Sequence, residues 1–188
     1  MDFRDSLLIN RAVIFLLTLM LTAASVQLVE AQQLKRTPRV AFLTASSVEM
    51  QTNLIEAFRL GLSDAGHVEG QNMTLDIRAA QGKYDSLPTL ATELVNLKPD
   101  VIFAASAPAI AAAKQAAVNI PIVFETLSDP VGDGFVASLA RPGGNLTGLA
   151  GLAPELSGKR LELLRDVVPA LNRVAVLLNP KNPTRRGC

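Results

Sequence analysis

The chain has 188 residues, enough for one or two domains, and 49% of them are hydrophobic, so it can bury a core. A formal net charge of +1 with interspersed acids and bases, and only 4% aromatic residues, offers neither a basic stripe nor a stacking platform, which excludes nucleic acid as a partner. One cysteine, Cys188, and one histidine, His67, exclude an internal disulfide and a Cys/His metal cluster, so no metal is expected.

In chain order, Arg11 precedes the apolar run Ala12 to Val29, which closes on Val29-Glu30-Ala31 with small residues where a signal peptidase reads them. The run falls short of the roughly 20 apolar residues a membrane span needs. A secretory signal cleaved after Ala31 is therefore expected, with an uncleaved anchor as the alternative. Asp2 and Asp5 offset Arg4 and Arg11, and no cysteine follows the run to carry a lipid.

"RVAFLT", residues 39–44, is short, branched and continuous, the pattern of a strand buried on both faces. Leu54, Ala57, Phe58, Gly61, Leu62 and Ala65 then recur at helical spacing, with Ser46 and Glu49 as a capping box and Gly66 as a stop. "MTLDIR" alternates as a second strand, and Leu87, Leu90, Ala91 and Leu94 mark a helix ended by Lys98-Pro99. "DVIFAAS" is a third strand, and Ala107 to Val118 a helix capped by Ser106 that admits Pro108 in its first turn. "IPIVFETL" is a fourth strand, Val131 to Leu139 a short helix, and "GNLTGLA" a fifth strand after the turn Arg141-Pro142-Gly143-Gly144. Leu161, Leu164 and Val168 mark one more helix, and Arg173-Val174-Ala175 echoes Arg39-Val40-Ala41 as the opening of a further strand, Val174 to Leu178. This alternation implies an α/β fold with a doubly wound parallel sheet.

In such sheets the ligand lies beyond the carboxyl ends of the strands, where helix N-termini offer free amides. Those ends are Ala45-Ser46-Ser47, Ala105-Ser106-Ala107 and Thr126 to Asp129: small, hydroxylic, with one carboxylate. They suit a small polar ligand, with Asp129 facing an amino group or cation. Their ordinary structural roles are helix caps for Ser46 and Ser106, and a turn before Pro130 for Asp129. "TASSVEM" has no glycine, so neither a dinucleotide fingerprint nor a phosphate loop is present and no cofactor is expected. His67 falls at the opposite, amino edge of the sheet, too far for a Ser-His-Asp triad. Asn145-Leu146-Thr147 matches a glycosylation sequon but falls in a predicted strand.

Three stretches carry a resemblance: Gly66 with Val68-Glu69-Gly70-Gln71-Asn72, Asp129-Pro130-Val131, and Arg141-Pro142-Gly143-Gly144-Asn145 with Thr147-Gly148. Over Pro38 to Pro183 the chain resembles bacterial ABC transporter substrate-binding proteins related to tryptophan- and tyrosine-binding components. The resemblance implies a type I periplasmic binding protein: two Rossmann-like lobes that close on a small solute, an amino acid among the candidates, and deliver it to a membrane permease. With the signal peptide read from the N-terminal residues over 1–31, it implies a first solute-binding lobe over 32–150 and a hinge with the start of an incomplete second lobe over 151–188. It implies a ligand pocket drawing on Ser46, Ser47, Ser106, Ala107, Thr126 and Asp129, periplasmic location, and no enzymatic activity. The ending Thr184-Arg185-Arg186-Gly187-Cys188 departs from the family pattern, and a truncated copy with impaired binding is the expectation. A ligand-sensing domain or a hydrolase on a Rossmann-like scaffold are the alternatives.

Overall fold

The computed structural model describes residues 36–151 and 156–177. The expected signal segment, its cleavage point and the tail after Leu177 lie outside the described residues. The unit that begins at Pro38 carries every helix and strand described.

Five strands, β1 (Arg39–Thr44), β2 (Thr74–Ala79), β3 (Val101–Ala105), β4 (Ile122–Thr126) and β5 (Leu146–Ala150), form one parallel sheet in the order β2-β1-β3-β4-β5. The helices are α1 (Thr52–Asp64), α2 (Leu87–Asn96), α3 (Ala107–Ala116) and α4 (Leu156–Val167). The doubly wound parallel sheet expected from the alternation is therefore the fold.

Strand residues alternate between two cores. Ala41, Leu43, Ile102, Ala104, Ile122 and Phe124 join Leu87, Leu94, Ile110 and Ala113 beneath α2 and α3. The alanines of α3 leave no bulk between the sheet and α2, so Ala107 to Ile110, Ala112 and Ala113 are all buried. On the other face Phe42 meets Ile55 and Ala105, with Phe58 and Phe103 against them. Phe42 stacks on Phe103 at 5.1 Å and meets Phe58 edge-on at 5.6 Å between ring centroids.

Helix ends follow their local chemistry. At the end of α1, Gly66 takes φ +85°, its N–H reaches Ser63 O, and the His67 N–H reaches Leu62 O, the paired bonds of a Schellman cap. Lys98 takes the equivalent left-handed position after α2, with φ 54°, and Pro99 prevents continuation.

Three expectations are corrected. The helix expected over Val131 to Leu139 is a single turn: Phe135 N–H bonds Pro130 O, Gly134 N–H bonds Val131 O, and Gly134 at φ +71° ends it. Ala137 N–H then bonds Pro142 O, so this stretch obeys the returning loop rather than its own apolar spacing. The described part of the expected strand Val174 to Leu178 is not a strand; Val174, Val176 and Leu177 are exposed, and no strand pairs with them among the described residues. The expected Ser46–Glu49 capping box is replaced by Ser47, whose Oγ accepts from Met50 N–H at 3.3 Å.

Asn145 explains why the sequon is structural. Its Nδ2 donates to Ala117 O at 2.8 Å and Ile120 O at 2.7 Å, tying the loop after α3 to the start of β5. Asn145→Ala leaves both carbonyls without this donor, and a loss of about 1–3 kcal/mol is expected. Urea denaturation measures it, and an unchanged midpoint would show that the clasp contributes nothing.

Candidate functional site

The chain runs outward from β1 to β2 and then back across to β3, so the order of the sheet reverses between β1 and β3. α1, after β1, covers one face, and α3, after β3, covers the other. The two loops diverge at the carboxyl edge, where the ligand crevice of such folds lies. Thr44 is registered beside Ala105 at the ends of β1 and β3, so Ser106 follows one residue beyond that level and Ser46 two.

Thr44 is completely buried, and its Oγ1 accepts from the Ser46 N–H at 3.2 Å, fixing the turn out of β1. Ser46 is half-buried, and its hydroxyl has no partner among the described residues. Ser47 is engaged locally: besides its bond from Met50, it donates to the Glu49 carboxylate. The backbone hydrogen bond at Glu49 and then this hydroxyl hold the Glu49 carboxyl below its ordinary value.

Ser106 is the unusual residue. It sits at φ 90°, ψ 148°, a region glycine occupies readily and other residues only under constraint. The constraint is visible: its N–H donates to Glu125 O at 2.9 Å while its carbonyl accepts from Ile110 N–H at 3.0 Å. One bond ties it to β4 and the other starts α3, so the backbone between them has no freedom to relax. Its Oγ is buried without a hydrogen-bond partner among the described residues. The expected cap is thus corrected: Ser106 occupies the N-cap position of α3 but makes no side-chain capping bond. Ala107 follows, 7% exposed, and Pro108 has no N–H. The first-turn amides of Ala107 and Ala109 precede the Ile110 bond at the positive end of the helix.

The loop after β4 forms a second polar cluster. Ser128 Oγ donates to Asp133 Oδ2 at 2.6 Å, so the 2.9 Å contact between Thr126 and Ser128 must be donated by Thr126. Thr126 Oγ1 also accepts the Ser128 N–H at 3.1 Å, and the residue is 3% exposed. Its hydroxyl therefore orients the loop rather than facing the crevice. Asp129 is exposed; Oδ1 accepts from Val131 N–H at 3.0 Å, while Oδ2 lies over Gly132, where a Cβ would come within 2.5 Å. Thr44 and Asp133 were not anticipated from the sequence, and Ser128 only as part of the stretch Thr126 to Asp129; the spacing of hydroxyls and carboxylates in "TLSDPVGD" is the signal of Asp133. His67 lies exposed at the opposite edge, as expected. Among the described residues no group of three His, Cys, Asp or Glu is placed to hold a metal ion.

The edge thus combines helix amides and unpaired serine hydroxyls with a carboxylate loop. A family model described as ABC transporter substrate binding protein matches residues 40–186. The chain belongs to this family. A tyrosine-binding protein of Clostridioides difficile (strain R20291) is 34% identical over 124 residues, covering 66% of this chain and 35% of that protein. Two solved structures share the fold. A conserved domain protein from Vibrio cholerae O1 biovar El Tor has 32% identity and a TM-score of 0.65, over 72% of this chain and 45% of that one. A ligand-free, open substrate-binding protein with adhesive properties from Clostridium difficile has 29% identity and a TM-score of 0.60, over 71% and 44%. At 23% identity and a TM-score of 0.56, an ABC domain from Streptococcus pneumoniae in complex with L-Trp shares the fold over 61% of this chain and 38% of its own. The chain spans about a third of the curated relative and under half of each solved structure.

Proposed function

We propose that this substrate-binding lobe captures an amino acid for an ABC importer, handing it to a membrane permease, and catalyses no reaction. The observation that carries the reading is Ser106: a strained backbone and a buried, unpartnered hydroxyl beside the first turn of α3, at the point where the sheet order reverses. A carboxylate there would give Ser106 Oγ an acceptor and the α3 amides a negative charge. Ser46 and Ser47 would border it from β1, Ala107 would supply an amide, and Asp129 across the crevice would pair with the ammonium group. Thr126 would act through the loop that carries Asp129. The tyrosine-binding relative supports the amino-acid class.

The same reading takes residues 1–31 as a signal removed after Ala31, 32–150 as the first lobe of an exported, periplasmic protein, and 151–188 as a hinge and the opening of a second lobe. The described residues wall the crevice from one side, so weak binding in fast exchange is expected of this chain.

Titration of the isotope-labelled chain with L-tyrosine and L-tryptophan, followed by amide NMR, tests this. Shifts should concentrate at Ser46, Ser106, Ala107 and Ala109, and Ser106→Ala should weaken binding about tenfold, the worth of one hydrogen bond to a charged group. If no amino acid moves these amides, the amino-acid reading fails. If Ser106→Ala binds equally well, the assignment of Ser106 fails.

A further inference from the structure

A parallel sheet is ordinarily covered on both faces. Here α2 and α3 cover one face, but α1 covers only the β2, β1 and β3 part of the other. On that side the register aligns Phe103 with Val123 and Thr147, and Ala105 with Glu125 and Leu149. Exposure rises along these rows, to 37% at Val123 and 76% at Leu149. The open strip is two strands, about 10 Å, wide. That is the width of one helix.

The same chain carries an uncovered helix. α4 buries no residue, although Leu156, Leu163, Leu164 and Val167 form an apolar stripe along it. Arg160 lies within that stripe, four residues after Leu156 and three before Leu163, and it has no partner among the described residues. The strip on the sheet has the opposite character at one point: Glu125 is half-buried among apolar neighbours and its carboxylate has no partner among the described residues. A guanidinium inside an apolar stripe and a carboxylate inside an apolar strip are complementary in shape and charge.

We propose that two copies of this chain associate by exchanging α4, each helix lying on the β4–β5 strip of the other copy with Arg160 paired to Glu125. Among the described residues both surfaces are open in the same chain, so a second copy would supply what each lacks. A two-fold arrangement makes the contact twice and closes, leaving neither surface free. This inference does not depend on the ligand reading.

Sedimentation of the full chain over a range of concentrations tests it through a charge exchange. Glu125→Arg alone and Arg160→Glu alone each set like charges against one another at both contacts. Each should raise the dimer dissociation constant at least tenfold, about 1.4 kcal/mol. An equimolar mixture of the two variants has opposite charges at both contacts and should dimerise as the parent does. The first 35 residues are the same in all samples, so a charge-dependent recovery cannot come from them. Should Glu125→Arg unfold the chain, Leu149→Asp replaces it and should abolish the dimer while leaving the circular dichroism unchanged. A parent chain that stays monomeric overturns the proposal, and so does a mixture that fails to associate. A monomer in which the α4 amides are protected from hydrogen exchange would put each helix on its own sheet, which also overturns it.

Discussion

Ser106→Gly is expected to make the chain more stable while removing its response to amino acids. At φ 90°, ψ 148° serine carries a backbone strain of order 1–3 kcal/mol that glycine does not. The substitution also removes a buried hydroxyl that has no hydrogen-bond partner, a group whose burial costs about 1–3 kcal/mol. Against this stands the greater freedom of glycine in the unfolded chain, about 0.4–1 kcal/mol. The net gain should therefore be at least about 1 kcal/mol. Ser106→Ala separates the two sources: it removes the orphan hydroxyl but keeps the strain, and its stability should fall between those of glycine and serine. Urea denaturation of the three chains gives the order. A glycine variant less stable than the parent would show that the hydroxyl stabilises the free protein, and the case for Ser106 as a ligand contact would go with it. A residue that costs stability in the free chain and is held in place from both sides is what a binding role predicts.

The largest loss of stability is expected from Phe42→Ala. Phe42 is fully buried at the centre of β1, between Phe103 and Phe58, whose own rings are 4.6 Å apart. Truncating a buried phenylalanine typically costs about 3–5 kcal/mol, because the lost transfer energy is joined by a cavity that rigid neighbours cannot fill. Here the neighbours are rings anchored on β3 and α1, so little collapse is possible. That loss is a large part of the roughly 5–15 kcal/mol available to a domain. The effect should reach the site as well, since Phe42 joins α1 to the strand whose end carries Thr44, Ser46 and Ser47. Denaturation measures the loss; a value below about 1 kcal/mol would mean that the three rings do not pack as a unit.

Much of the lobe is legible in residue order. The continuous apolar runs at Arg39–Thr44 and Val101–Ala105 mark strands covered on both faces, and Gly66 and Lys98-Pro99 mark helix ends, because these signals act over a few residues. The carboxyl edge that carries the candidate site was legible for the same reason: alternation of strand and helix puts every helix N-terminus on that side. The resemblance carried by Gly66 to Asn72 and Arg141 to Gly148 extended this to the family, which the match over residues 40–186 bears out.

What residue order did not determine depends on partners far along the chain. Val131 to Leu139 has apolar spacing suited to a helix, yet Gly134 and the bond from Ala137 to Pro142 make it a loop. Thr126 reads as a candidate ligand contact, but Ser128 and Asp133 take its hydroxyl inward. Ser106 reads as a helix cap, and only the pairing of β3 with β4 shows otherwise. Its carbonyl is held locally by Ile110 but its N–H by Glu125 on β4, so its torsion angles are set in part from outside its own sequence neighbourhood. Periodicity and end signals are local, and the sequence alone determined strands, helices and the edge they share. Strain, buried polar groups and uncovered surfaces arise when distant segments meet, and only the tertiary structure decided them.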